Sequence, residues 1–97
     1  MPEYRLTIPA QNDLEKIWEY TADEWSIRQA DKYLDGLVSI FNALADRKIK
    51  GKRIDLIRKN YKEISFMRHH VFFQETLDGT IEIMRILHVS MDVESHL

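Results

Sequence analysis

Residues 61–88 read YKEISFMRHHVFFQETLDGTIEIMRILH, and the fold turns on this stretch. Two apolar runs rich in Val, Ile and Phe flank Asp78-Gly79, a dipeptide that supplies the positive φ angles of a tight type I′ hairpin turn. Residues 71–76 and 80–87 are therefore expected to pair antiparallel. Upstream, residues 61–66 interleave polar side chains with Ile64 and Phe66, and only Met67-Arg68 separates them from the next run. That spacing predicts the third strand of a meander.

Alternation along the last strand sorts its side chains. Ile81, Ile83 and Leu87 fall on one side with Arg85, while Met84, Ile86 and His88 fall on the other with Glu82. Both sides are substantially apolar, whereas a strand covered on one face only alternates more cleanly. The second side is expected either to be half-covered by the chain's own ends or to be left for another molecule.

Length and composition set the frame for this meander. Ninety-seven residues, 44% of them hydrophobic, suit one small domain over 1–97 with a modest core. Without cysteine there are no disulfides, thiolate metal sites or thiolate nucleophiles. The opening residues MPEYRLTIP lack the apolar centre of a signal peptide, and no run reaches membrane-spanning length. A cytoplasmic protein with no membrane contact is expected.

The net charge of −2 hides a strong segregation. Residues 1–46 carry 4 basic and 9 acidic side chains, residues 47–70 carry 9 and 2, and residues 71–97 carry 1 and 5. The middle third is where an anionic partner would dock.

Before the meander, Tyr4, Leu6 and Ile8 alternate with Arg5 and Thr7, which predicts a short strand closed by Pro9. Pro9 suits the first turn of a helix over about 10–24, with Asp13 and Glu15 near its positive dipole end. Ser26-Ile27-Arg28-Gln29 matches a capping box and starts a second helix. Its apolar positions Ala30, Tyr33, Leu34, Leu37, Val38, Phe41 and Leu44 keep helical period to about Ala45. So short a connection folds the two helices back as an antiparallel hairpin whose apolar face covers one side of the sheet. Residues 46–60 read as a long basic loop containing Arg53 and Arg58, and in residues 89–97 Ser90 is placed to cap a last turn.

Several residue types on this frame carry chemistry. His69 and His70 are adjacent in a strand, so they point to opposite faces and do not share a metal, although His88 is placed to approach one of them. With no carboxylate placed to complete a set of about three ligands, neither metal nor cofactor is expected. A ribonuclease needs a base near neutral pKa and cations for the developing phosphorane charge. Lys62, Arg68, His70, Arg85 and His88 supply those types without a diagnostic spacing. Arg85 lies among Ile83, Met84, Ile86 and Leu87, so its head group is expected to be partly buried against a carboxylate or carbonyl. Trp18, Trp25, Tyr33 and Phe41 keep helical spacing and read as core; Tyr61, beside the basic loop, is the one aromatic read as a stacking candidate.

The order strand, helix hairpin, basic loop and three-strand meander resembles the RelE/ParE superfamily of bacterial toxins. AQNDLEKIWEY at 10–20, ADKYLDGL at 30–37, ISFMRHHVFF at 64–73 and IEIMRILHVSMD at 81–92 look like its ParE-like branch. The resemblance implies an α+β fold and the toxin of a type II toxin–antitoxin module. It also implies direct neutralisation by a cognate antitoxin, and a homodimer or a hetero-oligomer with that antitoxin. Proteins similar to ParE poison DNA gyrase, and the surface candidates for such a target are Arg53, Arg58, Tyr61 and Arg68. Met84, Ile86, His88, Trp18 and Trp25 are the candidates for the antitoxin. RelE-like relatives instead cut mRNA on the ribosome with basic residues and a C-terminal tyrosine or histidine. Residues 89–97 hold no Arg, Lys or Tyr, so only His96 would complete a nuclease set of Lys62, Arg68, His70, Arg85 and His88. The expectation is a binding protein and not an enzyme, with the ribosome-dependent mRNA endonuclease and an inactive family member that only binds antitoxin as the alternatives.

Overall fold

The structure, a computed structural model, describes residues 3–97. The elements run β1 (Tyr4–Leu6), α1 (Ile8–Glu24), α2 (Ile27–Ala45), β2 (Lys52–Arg53), β3 (Lys62–Phe66), β4 (His69–Glu75), β5 (Ile81–His88) and α3 (Val93–His96). The strands form one mixed sheet in the order β1-β5-β4-β3-β2, with β1 parallel to β5 and the other pairs antiparallel. This is the expected α+β arrangement of a helix hairpin on a sheet completed by a C-terminal meander.

Local signals place the helices. Thr7 accepts the Ala10 N–H at its hydroxyl and Pro9 occupies the first turn, so α1 begins at Ile8. Ile8 therefore leaves the strand in which alternation placed it, and it is largely exposed. The same shift moves Asp13 and Glu15 out of the first turn. Ser26 accepts the Gln29 N–H as the capping box requires, and α2 ends at Ala45 as its periodicity predicts.

One core lies between the hairpin and the sheet. Ala10, Leu37, Phe41, Leu44, Val71 and Ile83 meet there with 2% exposure or less, each large apolar side chain contributing about 1.5–3 kcal/mol by burial. Gly36 lets α2 come down onto the sheet, since a Cβ there would stand 2.4 Å from the Phe66 ring. A smaller cluster of Ile54, Tyr61, Phe72 and Leu87 fills the opposite face, with Met84, Val93 and Leu97 packed against it. The chain's own C-terminal segment and central loop thus cover the second face.

The faces of β5 differ from strict alternation. Phe72 pairs with Arg85 but Phe73 pairs with Ile83, so Met84 is an extra residue in the ladder. This bulge flips the alternation beyond it: Ile86 turns into the helix-covered core with Ile81 and Ile83, and Leu87 turns to the opposite face. The cause is long-range, because β1 ends at Leu6 and the freed edge of β5 is taken by α1. The Thr7 hydroxyl donates to the Met84 carbonyl at 2.9 Å, and Asp13 accepts the Ile86 N–H at 2.9 Å.

Other expectations also change. Gly79 N–H donates to the Thr76 carbonyl and only Gly79 is positive in φ, at 87°, so the hairpin has a three-residue loop and not a type I′ turn. The Asp78 carboxylate holds it, accepting from the Thr76 hydroxyl and the Thr80 N–H. The basic loop contains β2 as the edge strand. Ser90 bonds His88 instead of capping α3, whose N-cap residue is Asp92. Trp25 is not core: it ends α1 at 75% exposure, while Trp18 is half-buried and donates its indole N–H to Asp31.

Candidate functional site

The groups with chemistry fall in separate places. Arg85 sits on the bulge, where Nε and Nη2 donate to the Asp13 carboxylate at 2.7 and 2.9 Å and Nη1 donates to the His96 carbonyl at 2.9 Å. The hydrogen bonds that Arg85 donates to Asp13 raise its pKa above the ordinary value, against the opposing effect of burial. The expected burial of this guanidinium against a carboxylate is what the structure contains. Beside it a shallow cleft is lined by Thr7, Arg58, Tyr61, Met84 and His96.

His96 brings only its main chain to Arg85. Its imidazole Nδ1 turns back to donate to the Asp92 carbonyl at 2.8 Å. Tyr61 is not an open stacking platform: it is 8% exposed in the smaller cluster, with the Arg58 guanidinium 5.5 Å above its ring.

His69 and His88 face each other on the helix-covered side, as the meander predicts, with rings 5.3 Å apart and perpendicular. The Tyr33 hydroxyl accepts the Arg68 N–H at 3.3 Å and lies 2.7 Å from His69 Nδ1 and 3.4 Å from the Phe66 carbonyl. Burial first, and then the neighbouring His88 and His70, hold the His69 imidazole down at about 4. Burial likewise raises the Tyr33 pKa. Both groups are therefore neutral at physiological pH.

A stability test follows from this neutral histidine. An unfolded chain takes up a proton near the ordinary 6.5 and the folded chain only at about 4, so what neutral His69 contributes is complete above 6.5 and lost as pH falls toward 4. Because the ring is partly exposed to water, the expected loss between neutral pH and pH 5 is about 1 kcal/mol. Urea titrations at both pH values measure it, and His69→Leu removes that portion of the dependence.

His70 is on the other face. Its Nδ1 lies 2.7 Å from the Glu63 carboxylate and 3.2 Å from the Ser65 hydroxyl. Lys62 pairs with Phe73 on one side and Arg53 on the other, and Arg68 is exposed at the β3–β4 turn. The structure thus joins Arg85 to the His96 backbone and His88 to His69, and it leaves Lys62, Arg68 and His70 apart. No cluster of three or more His, Asp or Glu side chains suited to a metal occurs among the described residues.

Two further surfaces stand out. A groove between α1 and α2 is lined by Leu14, Trp18 and Leu34, with Glu15 and Glu19 on its rim. The β2 edge and the turns around it carry most of the exposed lysines.

Residues 4–93 match the family described as ParE toxin of type II toxin–antitoxin system, parDE. The chain belongs to the ParE toxin family. A Mycobacterium tuberculosis protein named Toxin ParE1 is 38% identical over 94 residues, which span 97% of this chain and 96% of that protein. A Caulobacter vibrioides protein of the same name is 32% identical over 97 residues, 100% of this chain and 99% of its own. The fold matches a solved chain of the chromosomal ParDE system from P. aeruginosa with a TM-score of 0.79 at 18% identity, covering 93% of this chain and 98% of that one.

In this ParE family member the antitoxin candidates separate by position. Trp18 lines the helix groove and Trp25 projects at the hairpin tip, whereas Ile86 is 3% exposed inside the core and His88 is engaged with His69 and Ser90. Ile86 is unavailable to a partner because the bulge turned it inward, and Met84 reaches only the cleft beside Arg85. Asp13 and Thr7 escaped sequence reasoning. Their partners are 72 to 77 residues away, and nothing in their own surroundings distinguishes them from ordinary helix-start residues.

Proposed function

We propose that this ParE family member is the toxin of a two-component module, that it inhibits DNA gyrase by binding and not by catalysis, and that a cognate antitoxin neutralises it in the bacterial cytoplasm. The commitment of Arg85 to Asp13 and the His96 carbonyl carries the non-catalytic part of this reading. The guanidinium that a nuclease would turn to a scissile phosphate is engaged in holding α1 to β5, and the histidines lie on different faces. The gyrase target rests on the ParE-like resemblance, since fold alone does not name a target. The helix groove supports the antitoxin part: apolar Leu14, Trp18 and Leu34 between acidic rims suit an amphipathic basic helix.

Purified protein incubated with gyrase and supercoiled plasmid, and in parallel with translating ribosomes and mRNA, tests the reading. Linear, protein-linked DNA with intact transcript upholds it, and cleaved transcript with unaffected plasmid replaces it with the ribonuclease reading. Arg58→Glu is expected to melt near the parent temperature, because Arg58 is exposed, and to lower plasmid linearisation by about tenfold, the equivalent of ~1.4 kcal/mol of lost binding. Undiminished linearisation removes the basic loop from target binding. Glu15→Lys with Glu19→Lys, both exposed on the groove rim, is expected to leave toxicity in place while antitoxin co-expression no longer relieves it.

A further inference from the structure

The basic third of the chain folds into a physical edge. β2 is the last strand of the sheet, and its Lys52 and Arg53 are exposed. Ile49 packs on the core while Lys48 and Lys50 on either side of it point to solvent. Lys50 and Lys52 flank Gly51 and are both exposed. Lys59 is exposed in the turn between β2 and β3, and Arg68 is exposed in the turn that follows Phe66 at the other end of β3. Arg47 and Arg53 are neutralised by Glu75 and Asp55. Lys48, Lys50, Lys52, Lys59, Lys62 and Arg68 have no carboxylate partner among the described residues. Helix α1, which packs against β5 and β1 and so away from β2, carries five acidic side chains and one lysine, so charge is separated across the sheet despite a net charge of −2.

We propose that this edge binds the phosphate backbone of duplex DNA directly, without an intermediary protein. The inference stands apart from the gyrase reading, because it requires only the chain and DNA. A row of extended, hydrated lysine charges with no shaped pocket between them suits a uniform polyanion and positions the protein without reading bases. The loop tip also exposes Leu56 fully and Ile57 at 43%, a feature shared with lipid-binding loops. Two side chains bury too little apolar area to hold a bilayer, whereas a charged line fits a helical array of phosphates.

The test is fluorescence anisotropy of a short labelled duplex with the full chain, no gyrase present, at 50 and 200 mM salt. For about four phosphate contacts the affinity should fall roughly 100-fold between those salts. Lys50→Gln with Lys52→Gln should reduce that fall to roughly 10-fold by removing two contacts, and should leave the melting temperature unchanged because both side chains are exposed. Lys16→Gln with Lys32→Gln, on the helices, should bind as the parent does. Absence of saturable binding at 50 mM salt, or a salt dependence that the Lys50/Lys52 variant leaves untouched, overturns the proposal. So does flotation with vesicles of phosphatidylglycerol in phosphatidylcholine by a chain that leaves the duplex unbound.

Discussion

Asp13→Ala lowers the melting temperature by roughly 15 °C, the equivalent of about 3 kcal/mol for a chain of this size. Asp13 is 12% exposed at its side chain and accepts three hydrogen bonds, two from Arg85 and one from the Ile86 main chain. Removing it leaves a partly buried guanidinium and a buried N–H without a partner at the same time. A buried ion pair broken from one side is costlier than a pair removed from both, because the surviving charge keeps its desolvation penalty. Asp13→Leu combined with Arg85→Met should therefore be more stable than Asp13→Ala alone, without reaching the parent, since Ile86 N–H stays unsatisfied. Thermal and urea denaturation of the three proteins measure this. Equal stability of Asp13→Ala and the parent would mean that the pair is solvated in solution. The result bears on function as well: Arg85→Ala is expected to lose toxicity together with stability, as a structural arginine should.

Elements whose signals are local were readable in the chain. The second helix announced itself through Ser26 and Gln29 at its start and through apolar positions that run to Ala45, and the meander through its alternating strands, which also brought His69 opposite His88. Where the reading failed, a distant partner decided the outcome. One extra residue, Met84, reverses the facing of everything after it on β5, and it exists because Thr7 and Asp13 take over the edge that β1 leaves uncovered. No period-2 pattern contains that information, so alternation alone puts Ile86 on a partner surface although it is core. Trp25 failed for the opposite reason. Its helical spacing is correct, but α1 ends there and no element lies over the hairpin tip. Of the antitoxin candidates, Ile86 inherits the first error, since a residue's side of a strand determines whether a partner can reach it, whereas the exposure of Trp25 leaves it accessible.

The second face of the sheet gives the other large effect. Phe72→Ala is expected to cost about 3–4 kcal/mol, because a ring with 0% exposure leaves a cavity among Ile54, Tyr61 and Leu87. Phe41→Ala, equally buried beneath the hairpin, should cost a similar amount. The two variants separate in where they loosen the chain. Phe72 is the floor on which Val93 and Leu97 rest, and apart from them α3 is held by two hydrogen bonds at the surface, from Arg85 to the His96 carbonyl and from Arg58 to the Leu97 carbonyl. Each such exposed contact is worth little by itself, so the apolar floor decides whether the segment stays down. Amide exchange in Phe72→Ala should accelerate at residues 54–61 and 93–97 while α2 keeps its protection under native conditions. In Phe41→Ala the acceleration should appear in α2 and β1 instead. If both variants loosened the same segments, the two clusters would be one cooperative core, and the C-terminal turn would owe its position to the whole sheet and not to the patch beneath it.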